Sequence, residues 1–120
     1  MNTVLVVEDG VTDMEILSRY LQQAGYYVIS ATSSEEVQEK IDSSKPDLIF
    51  LDVILPGKSG FEICRELKNN PETSKIPIVF CSTKNSAVDQ MWGNMLGAEG
   101  YLAKPINPAE LVVTLNKLLK

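Results

Sequence analysis

The chain has 120 residues and a formal net charge of −5, which suits a single domain with one hydrophobic core. This acidic balance argues against direct binding of nucleic acid, because contacts to phosphate depend on lysine and arginine. The N-terminal residues lack the basic segment of a signal peptide, and no apolar stretch approaches the length of a membrane span. We therefore expect one domain over residues 1–120, in the cytoplasm and away from membranes.

Apolar runs bounded by turn residues predict five β-strands. In chain order these are Thr3–Val7, a shorter and more polar edge strand at Tyr27–Ala31, residues 47–51, residues 78–81 and Gly100–Ala103. A stretch with helical spacing of apolar residues follows each strand. Five strands that alternate with five helices indicate an α/β fold, with a doubly wound parallel sheet, right-handed crossovers and helices on both faces.

Apolar residues three and four positions apart predict which side of each helix faces the core. The fourth helix has the largest apolar set, and we assign Trp92 and Met95 to the core rather than to a partner-binding surface. The predicted inward-facing residues, helix by helix, are Met14, Leu17, Leu21 and Ala24; Val37 and Ile41; Phe61, Cys64 and Leu67; Val88, Met91, Trp92, Met95 and Leu96; and Leu111, Leu115 and Leu118.

Polar residues mark where several helices begin. Ser33 with Glu36, and Ser59 with Glu62, have the spacing of a capping box, in which each side chain bonds the backbone N–H of the other residue. Asn107 stands before a proline and is expected to cap the last helix.

The two cysteines, Cys64 and Cys81, lie far apart in the sequence, and the chain has no histidine. This pattern does not match the common spacings of metal or redox sites. We interpret both as small buried hydrophobic residues in a reducing compartment.

Polar and charged side chains lie at the ends of four predicted strands: Glu8 and Asp9, Asp52, Ser82 and Lys104. In a parallel sheet these ends share one edge, where ligands bind. Carboxylates held close together repel one another, and a divalent cation relieves that repulsion. Oxygen ligands without histidine favour a hard ion, and above all Mg²⁺. The alternative is a set of separate, solvated acids at loop starts.

These residues make the chain similar, over its whole length, to the receiver domain of two-component response regulators. The resemblance implies a flavodoxin-like, three-layer fold with strand order 2-1-3-4-5. The motifs that carry it are Glu8 with Asp9, Asp52 followed by Pro56 and Gly57, Ser82, Lys104 with Pro105, and Tyr101 preceded by residues 97–100.

The resemblance implies that Asp52 accepts a phosphoryl group from a phosphohistidine of a sensor histidine kinase or phosphotransfer protein. It also implies that Asp9, Asp52 and the backbone carbonyl of Ile54 hold Mg²⁺ directly, and that Glu8 acts through the water shell of the ion. Phosphoryl transfer suits such a site, because it needs positioning and charge stabilisation more than covalent help.

By the same resemblance, Lys104 pairs with the phosphoryl oxygens and a cis peptide bond joins it to Pro105. Ser82 is the switch residue: its hydroxyl has no such partner before phosphorylation, and its movement opens space into which Tyr101 rotates. The fourth helix, fifth strand and fifth helix would then rearrange into a different binding surface.

Three positions depart from the usual receiver pattern. Glu8 replaces an aspartate, Gly10 replaces a larger residue and is expected to loosen the start of the first helix, and Thr83 replaces a small residue beside the phosphoryl site. Thr83 is expected to slow access of water or of small phosphodonors. None of the three removes an essential group.

Three other functions are compatible with parts of this pattern. A flavodoxin needs an uncharged loop after the first strand, which the acidic loop at residues 8–13 does not provide. A phosphoaspartate hydrolase usually has a second acid where this chain has Ile54. An unphosphorylated pseudo-receiver used for docking would not need the acids and Lys104.

We therefore expect a stand-alone receiver that is not an enzyme in its own right, although it assists its own phosphorylation and slow dephosphorylation. It would act on an unidentified protein target, in motility or chemotaxis-type signalling, as a monomer or a phosphorylation-dependent dimer. Docking without phosphorylation stays open as the alternative.

Overall fold

The computed structural model describes residues 2–119, and over them five strands alternate with five helices as predicted. The third strand starts one residue later than expected, and the fourth extends one residue further to include Ser82. The elements are β1 (Thr3–Val7), α1 (Val11–Gln23), β2 (Tyr27–Ala31), α2 (Ser34–Ser44), β3 (Leu48–Leu51), α3 (Gly60–Asn69), β4 (Ile78–Ser82), α4 (Ala87–Met95), β5 (Gly100–Ala103) and α5 (Pro108–Leu118).

The strands form one parallel sheet in the order β2-β1-β3-β4-β5, which confirms the predicted fold class and the edge position of β2. The register aligns the carboxyl ends of the strands. Val7 pairs with both Ala31 and Leu51, and Ser82 pairs with Ala103. Residues that follow these positions therefore meet at one edge of the sheet.

Both faces of the sheet are covered, because successive strand residues point to opposite sides and both sets are buried. One set, including Leu5 and Phe80, packs against α2 and α3. The other, including Val6 and Phe50, packs against α1 and α5. The molecule is a three-layer sandwich. Across residues 2–119, no helix has the length and apolar composition needed to cross a membrane.

The predicted caps form only in part. At α2 the Ser33 side chain makes no capping bond, and the Glu36 carboxylate instead accepts a hydrogen bond from the Thr32 hydroxyl at 2.7 Å. At α3 the Ser59 hydroxyl accepts from the Glu62 N–H at 3.2 Å, which is one half of a capping box. The expectation of a complete box at α2 was therefore wrong, because the neighbouring Thr32 hydroxyl binds the Glu36 carboxylate.

Predicted core assignments in two helices, α1 and α4, were wrong for five residues. Ala24 follows the last residue of α1 and is exposed. In α4 only Gly93 is buried, since a Cβ atom at that position would lie 3.0 Å from the Phe80 ring and 3.2 Å from the Tyr101 ring. The glycine thus faces the sheet and the large side chains point outward. Their exposed fractions are 67% for Val88, 58% for Met91, 48% for Trp92 and 68% for Met95.

The interior position of both cysteines is confirmed, and both thiols are free. Burial raises the pKa of Cys64 to about 11 and that of Cys81 to about 12. Because the thiolate is the reactive form, we expect neither cysteine of the native protein to react with iodoacetamide at a pH of about 8, and both to react in guanidinium chloride. Mass spectrometry counts the labels, and rapid labelling of the native protein would contradict the expectation.

Candidate functional site

The site begins where β1 and β3 end side by side at the centre of the sheet. The backbone continues the sheet hydrogen bonding for one more residue: Glu8 N–H donates to the Ala31 carbonyl at 2.9 Å, and Asp52 N–H donates to the Val7 carbonyl at 3.0 Å. The side chains of Glu8 and Asp52 are each 7% exposed. Two carboxylates are therefore held almost out of solvent by rigid backbone.

Asp9, which is exposed, completes a cluster with these two acids. One carboxylate oxygen from each of Glu8, Asp9 and Asp52 lies within 4.8 Å of the others. This set fits a hard divalent cation such as Mg²⁺, since all three donors are anionic oxygens and the chain has no histidine. The exposure of Asp9 leaves the cluster open to hydrated ions.

Lys104, immediately after β5, provides the positive charge of the site. Its Nζ donates to Glu8 Oε1 at 2.5 Å and to Asp52 Oδ2 at 2.8 Å, and its side chain is 8% exposed. The Lys104 N–H also bonds the Ser82 carbonyl at 3.1 Å, which fixes the residue to the end of β4. The Lys104–Pro105 peptide bond is cis, as the resemblance implied.

A third carboxylate, Asp13 in the first turn of α1, also binds Lys104, with Oδ2 3.0 Å from Nζ. Sequence reasoning missed this residue. The sequence places Asp13 four residues after Asp9, within reach of the strand end, but does not show whether its side chain faces that end or solvent.

The pKa values of the two buried acids move in opposite directions. Burial opposes ionisation of Asp52, but hydrogen bonds from Lys104, Ser82 and the Ile54 N–H outweigh it and lower its pKa. Burial raises the pKa of Glu8, and the nearby charge of Asp52 adds to the effect. The three carboxylates around Lys104 overcome its burial and raise its pKa above the usual range. Asp52 is thus held ionised.

Ser82 and Tyr101 are linked through the backbone of Lys84 in the loop after β4. The buried Ser82 hydroxyl accepts a hydrogen bond from the Lys84 N–H at 3.1 Å and also lowers the pKa of Asp52 by hydrogen bonding. The hydroxyl thus acts as an acceptor towards Lys84, and its donation to a phosphoryl oxygen stays a prediction. The Tyr101 hydroxyl donates to the Lys84 carbonyl, and its ring packs on Phe80 with centroids 5.4 Å apart.

Three other predicted positions lie one or two residues along the chain from Asp52, Ser82 and Glu8. The Ile54 N–H donates to Asp52 Oδ1 at 3.1 Å, while a metal bond from the Ile54 carbonyl stays a prediction. Thr83 is exposed beside the site. The Gly10 N–H donates to Glu8 Oε2 at 2.9 Å, and α1 begins directly after it. Gly10 therefore orients the first acid.

Comparison with known proteins agrees with this geometry. The family model described as the response regulator receiver domain matches residues 4–116. Protein PilH of Pseudomonas aeruginosa is 34% identical over 119 residues, which cover 99% of this chain and 98% of PilH. The phosphate regulon regulatory protein PhoB of the same organism is 37% identical over 118 residues, or 98% of this chain and 52% of PhoB.

Solved structures give the same result. The chemotaxis protein CheY4 of Vibrio cholerae superposes with a TM-score of 0.90 at 34% identity, and the match covers 99% of both chains. Both the sequence matches and the shared sheet order extend over nearly the whole length of the chain. The chain therefore belongs to the family of response regulator receiver domains.

Proposed function

We propose that this receiver accepts a phosphoryl group on Asp52 and passes the signal on by changing what it binds. The observation that carries the proposal is the environment of Asp52: a carboxylate kept ionised by Lys104, 2.8 Å away, inside an acidic cluster suited to a divalent cation. Receiver domains interact with histidine kinases or phosphotransfer proteins and with effectors, so the donor would be a phosphohistidine of such a partner.

In the transfer, an Asp52 carboxylate oxygen forms a bond to phosphorus as the bond between phosphorus and the histidine nitrogen breaks. The electron pair of that bond leaves with the imidazole, and Asp52 becomes an acyl phosphate. Lys104 is placed to pair with the new phosphoryl oxygens, since its Nζ already bonds the attacking carboxylate. Asp9, Asp52 and the Ile54 carbonyl would hold Mg²⁺, with Glu8 acting through its water shell. The bound ion supplies charge neutralisation.

The reverse path is slow hydrolysis, in which water attacks phosphorus and the acyl phosphate bond breaks to release inorganic phosphate. Thr83, exposed beside the site, would restrict the approach of that water. The domain thus assists its own phosphorylation and dephosphorylation, while its role is signalling rather than turnover of a substrate.

The phosphoryl group would reach the binding surface through Ser82 and Tyr101. A phosphoryl oxygen on Asp52 would accept a hydrogen bond from the Ser82 hydroxyl, and a shift of Ser82 towards it would move the loop whose Lys84 N–H donates to that hydroxyl. Movement of that loop changes the Lys84 carbonyl to which the Tyr101 hydroxyl donates. The change therefore alters the face formed by α4, β5 and α5, where Val88, Met91 and Val113 are exposed.

This face would bind an unidentified protein target in the cytoplasm, with residues 1–120 acting as one receiver domain. The likeness to a Vibrio cholerae protein named for chemotaxis supports a place in motility or chemotaxis-type signalling. Size-exclusion chromatography of the phosphorylated domain would separate a monomer from a phosphorylation-dependent dimer.

Intact mass spectrometry tests the proposal. After incubation with acetyl phosphate and Mg²⁺, we expect one phosphoryl adduct that hydrolyses on standing and is absent with a chelator. Asp52→Asn should form no adduct, while Asp47→Asn, at an exposed acid that follows none of the strands, should form it normally.

If no adduct forms with acetyl phosphate, beryllofluoride and Mg²⁺ should still bind, as observed by shifts in amide NMR signals. Failure of both probes would overturn phosphorylation and support the alternative, a pseudo-receiver that docks without it. The paired acids and Lys104 favour phosphorylation, because a docking module has no use for a buried charge cluster.

A further inference from the structure

Asp13 differs from the other two acids that bind Lys104. An ammonium group has three N–H donors, and in this structure Glu8, Asp13 and Asp52 take one each. Glu8 and Asp52 also belong to the cluster suited to a cation, whereas Asp13 does not. Of the three acids that bind Lys104, Asp13 is therefore the one that would not also bind the cation.

We propose that Asp13 is a positioning residue for Lys104, an inference that rests on the proposed function of the site. When a cation shares the charges of Glu8 and Asp52, their hold on the lysine weakens. Asp13 is not drawn to the cation, so its hydrogen bond keeps the Lys104 ammonium group in place. The Lys104 N–H that now donates to Asp52 Oδ2 then stays directed at the carboxylate that would carry the phosphoryl group.

The local sequence creates room for this contact. A Cβ atom on Gly10 would lie 3.2 Å from Glu8 Oε2 and 3.6 Å from Asp13 Oδ2. A larger residue at that position would crowd the Glu8 carboxylate and lie in van der Waals contact with that of Asp13. The small residue at position 10 therefore leaves room for Glu8, one of the acids that bind Lys104.

The first test observes Lys104 directly in metal-free protein. In ¹⁵N-lysine-labelled samples, the Nζ signal that disappears in Lys104→Arg belongs to this residue, and its proton exchange reports how firmly the ammonium group is held. We expect Asp13→Ala to speed this exchange by about threefold or more. Glu15→Ala is the matched control, because Glu15 is on the same helix but pairs with Arg19, with a side chain 69% exposed. An unchanged exchange rate in Asp13→Ala would overturn the inference.

The second test separates positioning from a general charge effect. At saturating Mg²⁺, we expect Asp13→Ala to slow phosphorylation by acetyl phosphate by about three- to tenfold, with no further loss in a Lys104→Met background. If Asp13→Ala and Glu15→Ala instead weaken Mg²⁺ binding equally and both leave the saturated rate unchanged, Asp13 acts only by its charge and the positioning role is overturned. If the wild-type protein takes no phosphoryl group, the proposed function fails while the exchange measurement still decides the role of Asp13.

Discussion

Replacing Lys104 by methionine is expected to lower the free energy of unfolding by about 3 kcal/mol in metal-free buffer, because breaking a buried ion pair leaves an unpaired charge behind. Here Glu8 and Asp52 would both lose the Lys104 ammonium group, and both acids are almost fully buried. Addition of Mg²⁺ is expected to restore most of the loss, since an ion that binds only the folded state stabilises it by mass action. Urea unfolding with EDTA or with Mg²⁺ measures both effects.

Lys58→Met is the control for this comparison. Lys58 pairs with Glu66 at 2.7 Å, but both side chains are about half exposed, at 51% and 48%, and exposed pairs contribute little. We expect a small change in stability that does not depend on Mg²⁺. Equal losses in the two variants, or a loss in Lys104→Met that Mg²⁺ does not reduce, would show that Lys104 does not neutralise the acid cluster.

Gly60→Ala is expected to destabilise the fold by about 3 kcal/mol and to distort the site, as an extreme case of overpacking. A Cβ atom at Gly60 would lie 2.0 Å from the Asp52 carbonyl oxygen and 2.9 Å from the Val53 Cα. These are backbone atoms with nowhere to move, because Gly60 N–H also bonds the Val53 carbonyl at 2.8 Å. The start of α3 must therefore shift away from Asp52 and the end of β3.

Thermal unfolding and the rate of phosphorylation measure the two consequences. Since a displacement of about 1 Å can lower a rate by about a hundredfold, we expect phosphorylation of Gly60→Ala to fall even where the protein remains folded. Gly25→Ala is the matched control: Gly25 has a φ of 94° and nothing within 4 Å of a built Cβ. It should lose only about 1 kcal/mol through backbone strain and keep its phosphorylation rate.

The fold could be predicted from sequence because its strongest signals are local. The strands β1, β3 and β4 are buried on both faces, so each appears as a continuous apolar run. A carboxylate directly after such a run has its position fixed by the strand, which is how Glu8 and Asp52 could be placed at one edge.

Asp13 could not be found in this way, because it is on a helix among other acids. Whether such an acid faces solvent or the sheet edge depends on the angle at which α1 leaves β1, and the sequence pattern does not contain that angle. The same limit applies to α4, where a spacing of three and four residues describes an inward stripe and an outward ridge equally well. The central Gly93, which faces Phe80 and Tyr101, was the signal that decided the orientation.

The way α4 lies on the sheet also affects how the protein can evolve. The helix contacts the sheet through Gly93, so its outer side chains Val88, Met91 and Met95 contribute little to the packed interior. They can therefore be replaced at small cost in stability. The residues around Asp52 have no such freedom. Duplicated copies of this domain could therefore acquire different binding partners through changes on one helix, while the residues around Asp52 stay the same.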